Sequence, residues 1–278
     1  PTSQAWRRTV PDDNGYMTKE EHADRLLKSL EGIKGAGSLR LDLKQCRDGQ
    51  WPCGLQSCRL CRETYQGAFA RALRRALKDD GEALLITIIP EDGWCPPGKI
   101  GDFDFKAFVK RHLQKIGRVL PDDVVYAGGV DVAYLSFRGD PVNWQVHIHL
   151  VAKATTTSRD EIAAALRAVY PNVKDKHIHR AVDVTFITKG ELEKTERYCS
   201  KAFFCQRITY TATSLGRADF RQSVKPQPTL TAQQDLELQL AWSDLKVGSL
   251  LMFRGLRRKR TKDIGKMRLE PMSRRKCA

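Results

Sequence analysis

Apolar residues fall at helical spacing in some stretches and in short alternating or continuous runs in others. Behind Thr18 and Glu21, which read as a capping box, Ala23, Leu26, Leu27, Leu30 and Ile33 share one helical face until Gly35 stops the pattern. Tyr65, Phe69, Ala72, Leu73, Ala76 and Leu77 give a second amphipathic helix over 63–78, and Phe105, Phe108, His112 and Ile116 a third over 103–119. Ser158 and Glu161 form another capping box ahead of Ile162, Ala165, Leu166 and Val169, and Pro171 closes that helix. Helices are also expected over 191–204 and 231–245. Strand chemistry appears over 83–90 (ALLITIIP), 124–137, 144–152 and 181–187, and the polar turn 138–141 joins the middle two as a hairpin. The alternation predicts an α+β fold with a mainly antiparallel central sheet and flanking helices.

The chain divides on this pattern into an N-terminal helical segment (1–40), a cysteine-rich module with a basic helix (41–80), a core (81–225), and a C-terminal helix with a basic tail (226–278). From Arg254 onward 11 positions are Arg or Lys against Asp263 and Glu270 alone, so the tail is expected to bury little. Over 278 residues, 48 Lys and Arg oppose 33 Asp and Glu, a net charge of +15 that makes nucleic acid the expected partner. Candidate phosphate contacts are Arg71, Arg74 and Arg75 on the basic helix and Arg257, Arg258, Lys259 and Arg260 in the tail, with a merely solvated face as the alternative. No run approaches the roughly 18 apolar residues of a membrane span, and the first residues lack a signal-peptide core. A cytoplasmic protein without a membrane partner is expected.

Cys46, Cys53, Cys58 and Cys61 are spaced C-x₆-C-x₄-C-x₂-C. The closing C-x₂-C lets two thiolates reach one tetrahedral ion, and four cysteines so close together predict a structural Zn²⁺ site rather than disulfides, with free buried thiols or a partial ligand set as the alternative.

In strand 144–152, Val146, Ile148 and Leu150 share one face while His147 and His149 project together from the other. Two imidazoles at i, i+2 on a rigid strand make a metal clamp; two histidines on a solvated sheet face are the alternative. Asp131, one strand earlier, can lie beside both and complete an N/N/O site that suits Mn²⁺ or Mg²⁺ with a phosphate ligand; a solvent-facing Asp131 is the alternative. His177 and His179 repeat the His-X-His pattern among charges and are the weaker pair. On the helix expected over 191–204, Lys201 lies three residues beyond Tyr198, placing its ammonium beside the phenol hydroxyl, where a cation offsets negative charge developed during nucleophilic attack.

ALLITIIP, QVHIHLVAK and ERYCSKAFF, in that order, resemble the three successive motifs of the HUH endonuclease superfamily, particularly rolling-circle plasmid replication initiators. The resemblance covers roughly 84–204. It implies a ferredoxin-like or palm-like domain in which His147 and His149 hold the catalytic cation, Tyr198 is the nucleophile and Lys201 its neighbour. Asp131 stands where many such initiators carry an acidic residue, usually Glu. The implied activity is site-specific nicking of single-stranded or cruciform origin DNA through a 5′-phosphotyrosine link, with a free 3′-hydroxyl for host polymerase and helicase. Alternatives are a transposase or mobilisation relaxase of the same superfamily, or a zinc-containing DNA-binding regulator without catalysis.

Overall fold

The computed structural model describes residues 17–77, 82–137, 140–173, 178, 180–188, 190–202, 204, 206–211, 221–223, 229–259, 261 and 263–272. In chain order its elements are α1 (Lys19–Ser29), α2 (Gly37–Arg47), α3 (Arg59–Leu77), β1 (Leu84–Ile88), β2 (Trp94–Cys95), α4 (Phe105–Val119), β3 (Val125–Phe137), β4 (Asp140–Lys153), α5 (Arg159–Val169), β5 (Val182–Phe186), α6 (Leu192–Tyr198), β6 (Gln206–Thr211), β7 (Arg221–Ser223), α7 (Ala232–Ala241), β8 (Leu251–Arg254), β9 (Leu256–Lys259) and β10 (Arg268–Pro271). Capping boxes at Thr18, Ser158 and Thr231 start α1, α5 and α7, each hydroxyl accepting a backbone N–H three residues on.

The long β3–β4 hairpin is the spine of a sheet ordered β5-β1-β4-β3-β6-β7, with β2 also on β4 and β8 also on β3. Every pairing is antiparallel except β3 with β6, so the sheet is mixed rather than purely antiparallel. On one face Ile86, Ile88, Ile148 and Leu150 pack against Phe105, Phe108 and Ile116 of α4 and Ile162 and Leu166 of α5. Full burial of each of these side chains stabilises by ~1.5–3 kcal/mol. On the other face Ala127 and Val151 meet Phe69, Ala72 and Leu73 of α3 together with Cys199. The histidine face of β4 is therefore an interior face, roofed by α3 and the end of α6.

Two sequence expectations are corrected, and one helix was not anticipated. The segment after Gly35 is helical: Leu39, Leu43 and Cys46 fall on one buried face of α2, a spacing masked by the glycines at 35 and 37. The helix expected to run to 204 ends at Tyr198, where Cys199 and Ser200 tighten the last turn by bonding back to Thr195 and Arg197. The C-terminal segment is no unburied tail: β8 adds to β3, β9 pairs with β10, and Leu256, Met267 and Leu269 are buried. Its apolar residues are few among arginines and lysines, so charge density hid the strands. Among the described residues no helix is long and apolar enough to cross a membrane.

Candidate metal centre and its tyrosine

Register builds the site. Asp131 lies directly across β3–β4 from His147, and Thr87 lies directly across β1–β4 from His149. Directly opposed residues hold their Cβ atoms about 4.5–5.5 Å apart, so carboxylate and imidazole meet without distortion. Asp131, His147 and His149 are 2%, 0% and 1% exposed, which excludes the solvated sheet face their pattern also allowed.

His147 Nδ1 lies 3.2 Å from the Gln145 carbonyl, which only accepts, so in the neutral imidazole Nε2 carries the lone pair. That Nε2 stands 2.9 Å from Asp131 Oδ2, and His149 Nε2 stands 3.3 Å from the same oxygen. His149 is held from behind by the Thr87 hydroxyl, 3.0 Å from its Nδ1. Burial pushes His147 down and His149 down to about 3 despite Asp131. Burial also opposes the charged form of Asp131, yet the Lys201 ammonium beside it leads the opposing causes and the carboxyl lies well below its usual range. Two neutral imidazoles and a carboxylate are the protonation states a metal requires.

The donor set fits a divalent cation. Asp131 Oδ1 and His149 Nε2 are buried without a hydrogen-bond partner among the described residues, and orphaned acceptors of this kind are satisfied by a cation that both can reach. Octahedral ligands at ~2.1 Å from an ion sit about 3 Å apart along each edge, close to the two separations here.

Tyr198, at the end of α6, brings its ring to 4.3 Å from the His149 ring, centroid to centroid. The sheet lets α6 approach because position 129 is glycine: a Cβ there would lie 3.2 Å from the Cys199 carbonyl oxygen and 2.9 Å from Leu251 Cδ2. Lys201, past the helix end, lies over the Tyr198 ring at 4.3 Å from its centroid and donates to Asp131 Oδ2, rather than following the helix as the i, i+3 reading had it. Burial disfavours the charged lysine, and Asp131 more than compensates, raising it above its ordinary value.

Arg207 on β6 completes the surround, with Nη2 3.2 Å from His147 Nε2. Sequence reasoning missed it because no spacing links β6 to β4. Thr87 was legible in principle, as the polar residue in an apolar run.

The cysteines form a second centre. Sγ separations are 3.6 Å for Cys46–Cys58 and Cys46–Cys61 and 3.7 Å for Cys53–Cys61, near the ~3.8 Å edge of a tetrahedron with ~2.3 Å metal–sulfur bonds. Both ligand groups, Cys46–Cys53–Cys58–Cys61 and Asp131–His147–His149, are compatible with metal binding.

The expected phosphate contacts are engaged within the protein. Arg74 pairs with buried Glu196 at 3.0 Å, and Arg71 and Arg75 donate to the Gly265 and Met267 carbonyls. Arg258 bonds the Tyr65 hydroxyl, and Arg257 and Lys259 pair with Glu270. These cations tie α3 to α6 and to the C-terminal strands, although Arg71, Arg75, Arg257 and Lys259 keep exposed surface. His177, His179 and Arg260 lie outside the described residues.

Comparison with protein-family models, curated proteins and solved structures finds no match to this chain.

Proposed function

We propose that the chain is an HUH-type DNA nicking and joining endonuclease that initiates rolling-circle replication. The observation that carries this reading is the contact of the Tyr198 ring with His149, 4.3 Å between centroids, beside an Asp131–His147–His149 ligand set. Motifs distant in sequence thereby supply a nucleophile, a cation site and a neighbouring ammonium in one place. The β3–β4 hairpin with its antiparallel neighbour β1, and a tyrosine helix beside the histidine strand, support this reading by bringing the three motifs together.

Asp131, His147 and His149 would hold a divalent cation, Mn²⁺ or Mg²⁺, which when bound would supply Lewis-acid polarisation of a phosphoryl oxygen. The protein supplies the rest. The Gln145 carbonyl and Thr87 hydroxyl fix the imidazole orientations, and Asp131 provides the anionic ligand. Tyr198 Oη attacks phosphorus, the bond to the 3′ oxygen breaks, and the phenol proton ends on the departing 3′-hydroxyl. The products are a 5′-phosphotyrosine and a free 3′ end for host polymerase and helicase; one phosphoester replaces another, so the step reverses and strands can be rejoined. Cys46, Cys53, Cys58 and Cys61 would hold a zinc ion, which would fix the α2–α3 corner from which α3 reaches α6. The substrate is single-stranded or cruciform origin DNA, attracted by the net positive charge.

The test is incubation with Mn²⁺ and a randomised, 3′-labelled single-stranded DNA pool. A denaturation-resistant labelled protein band is expected for the wild type and none for Tyr198→Phe. An undiminished band in the variant, or none in the wild type with any strand, overturns the reading.

A further inference from the structure

Two side-chain cations stand against the atoms of the triad that a divalent ion would use. Lys201 Nζ donates to Asp131 Oδ2, the oxygen shared by both imidazoles, and Arg207 Nη2 sits 3.2 Å from His147 Nε2. We propose that Lys201 and Arg207 are displaceable placeholders: they occupy Asp131 Oδ2 and His147 Nε2 when no divalent ion is bound and move onto DNA phosphates when one enters, so that cation and DNA bind cooperatively. This rests on the metal reading of the triad.

The argument is one of charge and reach. Among the described residues the carboxylate facing these groups is Asp131, and the imidazoles are neutral. One negative and two positive charges share the site before a metal arrives, and a divalent ion raises the sum to three positive. Like charges in a buried volume repel strongly, because the low dielectric weakens screening. Two changes relieve that excess: the lysine and arginine swing away, or anions arrive. A DNA strand does both at once, since its phosphates attract the displaced cations.

Both residues have the means to move. Lys201 follows the end of α6, and its side chain retains 19% exposure. It already lies along the Tyr198 ring, so leaving Asp131 carries the ammonium toward the scissile phosphate. Arg207 is half-buried on β6, and its planar guanidinium grips a phosphate with two parallel N–H bonds once His147 Nε2 is taken. Reciprocity follows: if DNA tightens the cation, the cation tightens DNA by the same factor.

The experiment measures Mn²⁺ affinity of the full chain by electron paramagnetic resonance of the free ion. It uses Tyr198→Phe protein to prevent covalent attachment, with and without a randomised single-stranded DNA pool, and subtracts binding to DNA alone. Without DNA, Lys201→Met and Arg207→Met are each expected to tighten Mn²⁺ about tenfold, within the roughly 5–150-fold span of site-to-site coupling. With DNA, the Tyr198→Phe protein tightens by a similar factor, and the Lys201→Met/Arg207→Met protein loses most of that gain. Unchanged zinc content and melting temperature identify a folded variant; should one variant fail to fold, the other single variant decides. Mn²⁺ affinity that ignores DNA, or folded variants that bind Mn²⁺ no tighter, overturns the proposal. A wild type that still forms the covalent adduct then leaves the nicking reading standing, whereas absence of Mn²⁺ binding in every protein removes both.

Discussion

Replacing Cys46 by serine tests the cysteine centre most sharply. Cys46 is fully buried at the end of α2, 3.6 Å from the sulfurs of both Cys58 and Cys61. Structural zinc contributes roughly 10–16 kcal/mol of binding free energy in small zinc-dependent modules. An even share for one of four ligands is about 3 kcal/mol, or roughly a hundredfold weaker zinc at about 1.4 kcal/mol per tenfold. In a chain of this size 1 kcal/mol shifts the midpoint by roughly 2–4 °C, so a fall of roughly 6–12 °C is expected if unfolding is cooperative. The damage should begin locally, because α1, α2 and the cysteine loop share an apolar cluster separate from the sheet core. The assays are elemental analysis, competition with a chromophoric chelator, and calorimetry. Wild-type protein should hold one zinc per chain beyond the cation at the histidines. A Cys46→Ser protein that competes for zinc as well as wild type, with an unmoved midpoint, refutes the tetrahedral reading.

Removing His147 and His149 together, as alanines, should abolish Mn²⁺ binding and DNA attachment while leaving zinc stoichiometry intact, as elemental analysis and titration will show; retained Mn²⁺ binding contradicts the site. Gly129→Ala places a Cβ 2.9 Å from Leu251 Cδ2 and 3.2 Å from the Cys199 carbonyl oxygen. It should cost ~1–3 kcal/mol in urea unfolding and lift Tyr198 from His149, slowing adduct formation more than it weakens DNA binding. Asp92 bonds Arg111 at 2.6 Å and His112 at 2.9 Å, and although burial opposes its charge these partners lower it to about 2. A depressed carboxyl adds stability that is full above the unfolded value near 4 and is lost as pH falls toward about 2. With 44% of the side chain exposed, screening reduces that contribution to about 1 kcal/mol. Urea unfolding between pH 5 and pH 2.5 should therefore show wild type losing about 1 kcal/mol more than Asp92→Asn, and parallel losses contradict the assignment.

Much of the framework was legible because local physics and tertiary structure agree. Thr18, Ser158 and Thr231 are side-chain caps in sequence and in structure, and the alternation through Val146–Leu150 put both histidines on one face. Asp131 was readable because a hairpin fixes cross-strand neighbours once the turn is placed. What stayed hidden depends on contacts between segments with no shared period. Arg207 reaches His147 through a parallel strand pairing, and Lys201 reaches Asp131 because α6 stops short of its pattern. The arginines of α3 resembled a phosphate rail, yet their partners are Glu196 and the carbonyls of residues 265 and 267, which no sequence spacing announces. In the C-terminal segment, charge density concealed the strands: Leu256, Met267 and Leu269 are too sparse among basic residues to stand out.

The central claim is that Tyr198 takes the DNA phosphate. Its most direct test is mass spectrometry of the protein after reaction with Mn²⁺ and the single-stranded DNA pool, nuclease trimming and trypsin digestion. The account predicts a nucleotide phosphate linked to Tyr198 in the 198–201 peptide, absent when Mn²⁺ is withheld or the histidines at 147 and 149 are removed. A nucleotide on another residue, or an unmodified Tyr198 in protein that cuts DNA, contradicts it.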